Sequence, residues 1–393
     1  MIESKTKVAF YAANKLSQYC ILQMNDKIVY KLILSSNITR DYAHKGIQLD
    51  RKQQLEIWLK INLKQAFTLS TASADASFRR YFRVHLGGDY KGYKTLIAMD
   101  APPPPQEDCT PFVKVAKLLL DAGLNVPKVI AQDLQNGFLL LSDLGDDTYL
   151  QHLSNQKDNH KLAQMLYLDA TNALIKMQLA SKAHDLPPYD EALLTREMQL
   201  FPDWYVAKHL GFTMNSEQQG WLQQTFDALN KNILAQGQVT VHRDYHSRNL
   251  MVTHTNDGRP SPGILDFQDA VYGAITYDLV SLLKDAYIQW DEEQVIDLAV
   301  RYWEPAKKVG LPVPNDFSEF YRDFEWMGAQ RHIKVLGIFA RLSHRDGKDS
   351  YLNDLPLVMH YLRKVCERYV ELRPMLRLLD ALEGRVPRPK YVV

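Results

Sequence analysis

The densest chemistry in the chain lies in eight consecutive residues, His242-Arg243-Asp244-Tyr245-His246-Ser247-Arg248-Asn249. They have the H-R-D-x-x-x-x-N spacing of a phosphoryl-transfer catalytic loop. In that spacing Asp244 orients an acceptor hydroxyl and takes its proton, and Asn249 offers an amide oxygen to Mg²⁺. Further along, Asp266-Phe267-Gln268 stands where protein kinases carry D-F-G. The Asp266 carboxylate is then the main metal ligand, bridging Mg²⁺ to the β- and γ-phosphates of ATP. Oxygen ligands of this kind suit a hard cation. Two other readings stay open. One is a chance H-R-D with a capping Asn and a turn Asp. The other is a kinase-like protein that holds nucleotide without turnover, although all three polar residues are present.

The elements that must position these residues follow from pattern. Leu55, Trp58, Leu59 and Leu63 recur at helical spacing. Phe78–Leu86 and Thr95–Asp100 read as strands separated by a turn at Gly87-Gly88-Asp89. Four prolines, Pro102 to Pro105, stop any regular element. A helix is expected from Pro111 to Ala122, then strands at Val126–Ile130 and Phe138–Leu141. Beyond residue 148 the chain reads as mostly helical. The exceptions are short strands at Val239–Val241, Leu250–Thr253 and Gly263–Leu265, the last two forming a hairpin that brings Asn249 and Asp266 to one ion. The expected fold is α+β and bilobal. Residues 1–48 form an extension of unknown role, 49–145 a β-rich nucleotide-binding lobe, and 146–393 a helical lobe with the catalytic loop, metal and acceptor site.

From about residue 49 onward the chain resembles the aminoglycoside phosphotransferase and choline kinase superfamily. More narrowly, it is similar to the bacterial anomeric N-acetylmuramate/N-acetylglucosamine kinases. The resemblance is carried by the catalytic loop, Ala76–Arg83, Met99-Asp100-Ala101-Pro102-Pro103, Leu141-Ser142-Asp143-Leu144-Gly145, Leu265–Ala270, Gly337–Leu342 and Arg345–Lys348. It implies a protein-kinase-like fold and ATP- and Mg²⁺-dependent phosphorylation of an amino sugar at its anomeric hydroxyl. Ser142, Asp143 and Leu144 fall where adenine meets backbone in such folds, and the other reading is a plain interlobe turn. His242 and Asp278 take structural roles, Asp278 as the buried acid that brace the catalytic loop. Asp269 would hold metal or a substrate hydroxyl, or only cap the next segment.

Two departures from the kinase pattern stand out. No G-x-G-x-x-G is present; the candidate phosphate-covering loop is Ser73–Arg79, with Ser77 and Arg79 or Arg80 as donors, or else an ordinary polar turn. No lysine stands in Thr95–Asp100, where Met99 falls near the expected point. Arg331, Lys334, Arg341 and Arg345, spaced 3, 7 and 4, share a helical face. That stripe is either solvated or an anion site, with Arg331 and Arg341 the residues for the lactyl carboxylate of N-acetylmuramate. Glu197, Trp204 and Tyr205 would offer a sugar a carboxylate and an aromatic platform, or would pack in the core.

Composition narrows the alternatives. The 393 residues carry 47 Lys+Arg and 46 Asp+Glu, a net +1 that gives no general pull toward nucleic acid or anionic membrane. A 46% hydrophobic content is that of a globular protein. No apolar run spans a bilayer and no signal peptide is expected. Cys20, Cys109 and Cys366 form no metal or disulfide spacing, so free thiols in a reducing cytoplasm are expected. A long activation segment ending in A-P-E is absent, because Ala270-Val271-Tyr272-Gly273 runs almost at once into Tyr277–Leu283. A protein substrate is therefore disfavoured and a small molecule expected, with no obligate protein partner evident. A choline-, aminoglycoside- or homoserine-type kinase is the alternative acceptor class.

Overall fold

The computed structural model describes residues 23–24, 27–28, 49–74, 78–155, 159–254 and 261–385. Gln23–Met24 pairs antiparallel with Lys27–Ile28. Ser77 of the phosphate-covering loop lies outside the described residues. The chain divides into two units, one holding residues up to Asp108 together with Ile130–Leu141, the other holding Cys109–Val129 and everything from Ser142. Among the described residues no helix is long and apolar enough to cross a membrane.

In the first unit a helix, α1 (Arg51–Leu63), starts at a capping box. Asp50 accepts from Gln53 N at 2.9 Å, and Gln53 accepts from Asp50 N at 3.0 Å. It ends at Lys64 in the left-handed region, φ 55°. Its buried stripe of Leu55, Leu59 and Leu63 lies on a five-stranded sheet of order β1-β2-β3-β5-β4. The strands are β1 (Phe67–Ala74), β2 (Arg80–Tyr90), β3 (Tyr93–Asp100), β4 (Val129–Asp133) and β5 (Phe138–Ser142). Phe82, Val84, Leu96, Ala98, Phe138 and Leu140 complete the core. The expected turn at Gly87–Asp89 lies instead at Lys91-Gly92, where both residues have positive φ and Asp89 accepts from Gly92 N at 2.7 Å. Strand β2 runs on through a bulge to reach it. Gly137 is obligatory: a Cβ there would sit 1.7 Å from the Ala101 carbonyl oxygen.

The second unit is mainly helical. Its helices are α2 (Thr110–Asp121), α3 (Tyr149–Asn155), α4 (His160–Leu179), α5 (Glu191–Met198), α6 (Ser216–Ala235), α7 (Tyr277–Leu283), α8 (Glu292–Lys308), α9 (Phe317–Asp346), α10 (Leu355–Arg368) and α11 (Arg373–Leu382), with a π-helical stretch at Phe201–His209. Two small antiparallel pairs carry the loops of interest. β6 (Gln238–Val241) pairs with β9 (Val271–Ala274), and β7 (Leu250–Met251) pairs with β8 (Gly263–Ile264). The 30-residue α9 is the spine of this unit. It packs so closely that a Cβ on Gly337 would lie 2.3 Å from the carbonyl carbon of Leu200.

Candidate active site

The loop from His242 to Asn249 joins β6 to β7. Its backbone is held from several directions. The Asp278 carboxylate, in the first turn of α7, accepts from His242 N at 2.6 Å and Arg243 N at 3.0 Å. Asp285 accepts from Ser247 N at 3.1 Å and from the Ser247 hydroxyl. The Tyr245 hydroxyl donates to the Ala170 carbonyl at 2.8 Å. These anchors offset the cost of Arg243 at φ 78°, a conformation that typically costs a non-glycine residue about 1–3 kcal/mol.

The β7–β8 pairing brings the second acid into place. Ile264 pairs with Leu250, and Leu265 N donates to the Asn249 carbonyl at 2.9 Å. Asp266, at φ 63°, then lies beside Asn249, whose Nδ2 is 3.4 Å from Asp266 Oδ2 and 3.0 Å from the Asp244 carbonyl. With the amide assigned this way, its Oδ1 is the atom left for a cation. Gln268 Nε2 donates to Asp266 Oδ1 at 2.8 Å. Among the described residues no group of three or more His, Cys, Asp or Glu could hold a metal. One carboxylate and one amide oxygen instead fit Mg²⁺, which keeps waters and shares phosphate oxygens.

Charge at Asp244 is set by its neighbours. Burial opposes its ionisation, but Lys334, His246, Arg331 and Arg243 outweigh it and hold the carboxyl below its ordinary range. Asp278 is the reverse case. Burial pushes it up to about 7, only partly countered by its two backbone donors. Burial also lowers His242 to about 4, so its ring is neutral. Its Nδ1 accepts from Asp244 N at 3.2 Å, which assigns the ring proton to Nε2.

The basic stripe is split by the fold. Arg331 and Lys334 are each only 6% exposed, so this half is no solvated face. Arg331 Nη2 donates to the Ser281 hydroxyl at 2.6 Å, while its Nε is buried with no hydrogen-bond partner among the described residues. Lys334 Nζ lies 2.9 Å from the Tyr277 hydroxyl and 3.0 Å from Glu197. Arg341 is half-buried, and burial and Arg345 lower its guanidinium. Arg345 is exposed and pairs with Asp346 at 2.7 Å. Glu197 is buried against Arg243, Lys334 and the Tyr189 hydroxyl. Tyr205 stacks on Phe201 at 5.3 Å. Asp269 is exposed, and its carbonyl accepts from Arg243 Nη1 at 3.3 Å. Sequence reasoning missed Tyr189, Tyr277 and Asp285 as partners of this loop, and no spacing signal marks them. Lys334 was visible only as one member of the stripe.

The residues expected at the nucleotide fall in both units. In the first, Arg79 pairs with Glu107 at 3.0 Å, and Asp100, fully buried, holds both Arg80 and Arg51. Met99 is buried opposite Tyr81, so that position offers no charge. In the second, the Ser142 hydroxyl accepts from Lys128 N at 2.8 Å and Ser142 N donates to the Lys128 carbonyl at 2.9 Å. Asp143 accepts from Gly145 N at 2.9 Å, and Leu144 approaches Gly263.

Comparison with known proteins places this geometry in context. Residues 68–309 match the phosphotransferase enzyme family. The N-acetylmuramate/N-acetylglucosamine kinase of Neisseria meningitidis serogroup B is 48% identical over 337 residues, 86% of this chain and 97% of the relative. The protein of that name from Pseudomonas aeruginosa is 48% identical over 84% of this chain and 97% of its own length. One from Caulobacter vibrioides is 30% identical over 73% and 85%. Among solved structures, an ethanolamine kinase from Plasmodium vivax aligns with TM-score 0.58 at 11% identity, covering 92% of this chain and 98% of its own. A choline kinase from Cryptosporidium parvum gives 0.55 at 12%, covering 84% and 100%. An ADP-bound aminoglycoside phosphotransferase gives 0.51 at 13%, covering 81% and 99%. At such identities these structures speak to the fold alone, which is α+β and protein-kinase-like.

Proposed function

The chain belongs to the phosphotransferase enzyme family, and from that premise we propose that it transfers the γ-phosphoryl group of ATP to the anomeric hydroxyl of N-acetylmuramate or N-acetylglucosamine. The observation that carries the reading is a braced loop that carries Asp244 and Asn249, with Asp266 set beside Asn249 by the neighbouring hairpin. The acceptor identity draws on the relatives named for these sugars, matched along 97% of their length.

In this reading Asp244, ionised by its cationic surroundings, accepts a hydrogen bond from the acceptor hydroxyl and takes its proton as the oxygen attacks. An anomeric hydroxyl is more acidic than other sugar hydroxyls, so one aspartate suffices as base. Asp266 and Asn249 are the residues that would hold Mg²⁺, whose charge neutralises that developing on the phosphates. Asp278 braces the loop through His242 and Arg243. Ser142, Asp143 and Leu144 remain the candidate adenine contacts. Ser77, Arg79 and Arg80 remain the candidate phosphate donors, with both arginines sharing themselves with Glu107 and Asp100. The lobe assignment, with nucleotide binding in residues 49–145 and catalysis in 146–393, belongs to the same proposal. An ATP-consuming reaction, with Cys366 as a free buried thiol, fits a cytoplasmic site of action.

A cationic acceptor such as choline fits less well, because Lys334, Arg331 and Arg243 are cations whose charges act on Asp244. The test pairs ADP release with a reducing-sugar assay. Phosphorylation at C1 locks the ring, so reducing signal is expected to fall in step with ADP formed. ADP formed with the reducing end intact would sink the anomeric assignment.

A further inference from the structure

Glu197 was a candidate for touching substrate, yet its surroundings describe another task. It lies at the end of α5, and its Oε1 meets both Arg243 Nη2 and Lys334 Nζ while its Oε2 accepts from the Tyr189 hydroxyl. Burial opposes its ionisation, but Lys334 and Arg243 outweigh burial and keep it charged. Lys334 is likewise held above its ordinary value, against burial, by Glu197 and Tyr277. Tyr189 and Tyr277, both buried, meet edge to face at 5.4 Å.

We propose that Glu197 is a positioning residue that clamps the catalytic loop by answering two cations at once, the buried Lys334 and the partly buried Arg243. Arg243 directly precedes Asp244 and sits in the left-handed region, so something must hold it there. Asp278 holds its N–H, the Asp269 carbonyl receives one guanidinium nitrogen, and Glu197 holds another. Lys334 extends the clamp to α9, through Glu197 on one side and the Tyr277 hydroxyl on the other. Two cations against one carboxylate leave a charge of 2 − 1 = +1. It is turned to use, since Lys334 is the strongest charged neighbour stabilising the ionised Asp244. Removing Glu197 alone would leave two like charges in a buried site, the least tolerable state of such a cluster. Removing Lys334 as well restores the original net charge around Arg243.

This inference rests on phosphoryl transfer at Asp244 and not on which sugar accepts. The tests are steady-state turnover of the full chain, by ADP release, for wild type and Glu197→Gln, and the melting temperatures of both and of the double variant Glu197→Gln/Lys334→Met. Wild-type turnover over amino sugars, choline and aminoglycosides reports separately on the acceptor, and whichever compound it phosphorylates serves for the variants. For Glu197→Gln, kcat is expected to fall roughly tenfold to a hundredfold through misplacement of the loop. KM for acceptor and MgATP should stay within about threefold. The double variant should recover most of the melting temperature lost in Glu197→Gln, because the net charge around Arg243 is restored, but not its kcat, because Lys334 no longer stabilises the ionised Asp244. A rise in acceptor KM with kcat intact would make Glu197 a substrate contact and overturn the proposal. So would wild-type kinetics in Glu197→Gln, or a double variant that melts no higher than the single. If circular dichroism shows Glu197→Gln unfolded, Glu197→Asp decides. It keeps the charge on a shorter arm, so a loss confined to kcat supports the clamp and a loss confined to KM overturns it.

Discussion

Asp244 is ionised because Lys334, His246, Arg331 and Arg243 outweigh its burial, and this determines what its removal should do. Asp244→Asn keeps the shape and loses the base. Turnover is expected to fall by about 10²–10⁴-fold while MgATP still binds. A folded Asp244→Asn protein with near-normal turnover would remove the assignment. Asp266 and Asn249 act elsewhere on the same reaction. Asp266→Ala should abolish Mg²⁺-dependent ATP binding and Asn249→Ala should weaken it, as read by calorimetric titration of MgATP. Unchanged affinity and metal dependence in Asp266→Ala would contradict its role. The residue types at these three positions were readable from the sequence because their chemistry is local: one loop and one hairpin hold all three. The Glu197 clamp was not, since its partners Arg243 and Lys334 lie on a distant loop and helix and meet it only in the folded chain.

At the scale of elements, α7 and α9 carry the site. Asp278 braces the loop from the first turn of α7, with its pKa pushed up to about 7 chiefly by burial. Its folded value lies above the ordinary carboxyl value, so the folded state keeps this proton at pH values where the unfolded chain has released it. Its contribution to stability is therefore full below about pH 4 and is lost as pH rises through about 7. Asp278→Asn does not titrate. The melting-temperature difference, wild type minus Asp278→Asn, should grow as pH is lowered from 7.5 to 5. A difference flat across that range would mean that the two backbone donors keep Asp278 ionised. Helix α9 is judged by its closest approach. Gly337→Ala would drive a methyl to 2.3 Å from the Leu200 carbonyl carbon, where backbone cannot swing aside. Overpacking of this kind typically costs about 1–3 kcal/mol, to be read as a lower urea midpoint. An unchanged midpoint would mean that this contact is easily relaxed.

For the whole molecule, residues 1–48 are expected to be dispensable, because α1 carries its own cap at Asp50 and buries Leu55, Leu59 and Leu63 within the first unit. A chain beginning at Leu49 should fold and release ADP at the full-length rate. Insolubility or lost turnover would show that the extension packs on the rest. What the sequence determined by itself is what short range can encode. The H-R-D-x-x-x-x-N loop, the following Asp266, the hairpin between them and the helix at Arg51–Leu63 follow from neighbours whose spacing alone places them. Strand β1 and the turn at Lys91-Gly92 escaped, because alternation was weak in one and a bulge extended the strand before the other. The stripe on α9 marks the boundary most clearly. A spacing of three puts Arg331 and Lys334 on one face, but spacing is silent on what that face meets. Tertiary packing set Ser281, Tyr277 and Glu197 against it, and the partners those residues supply are the physical reason that two cations are buried behind Asp244 instead of lying in water.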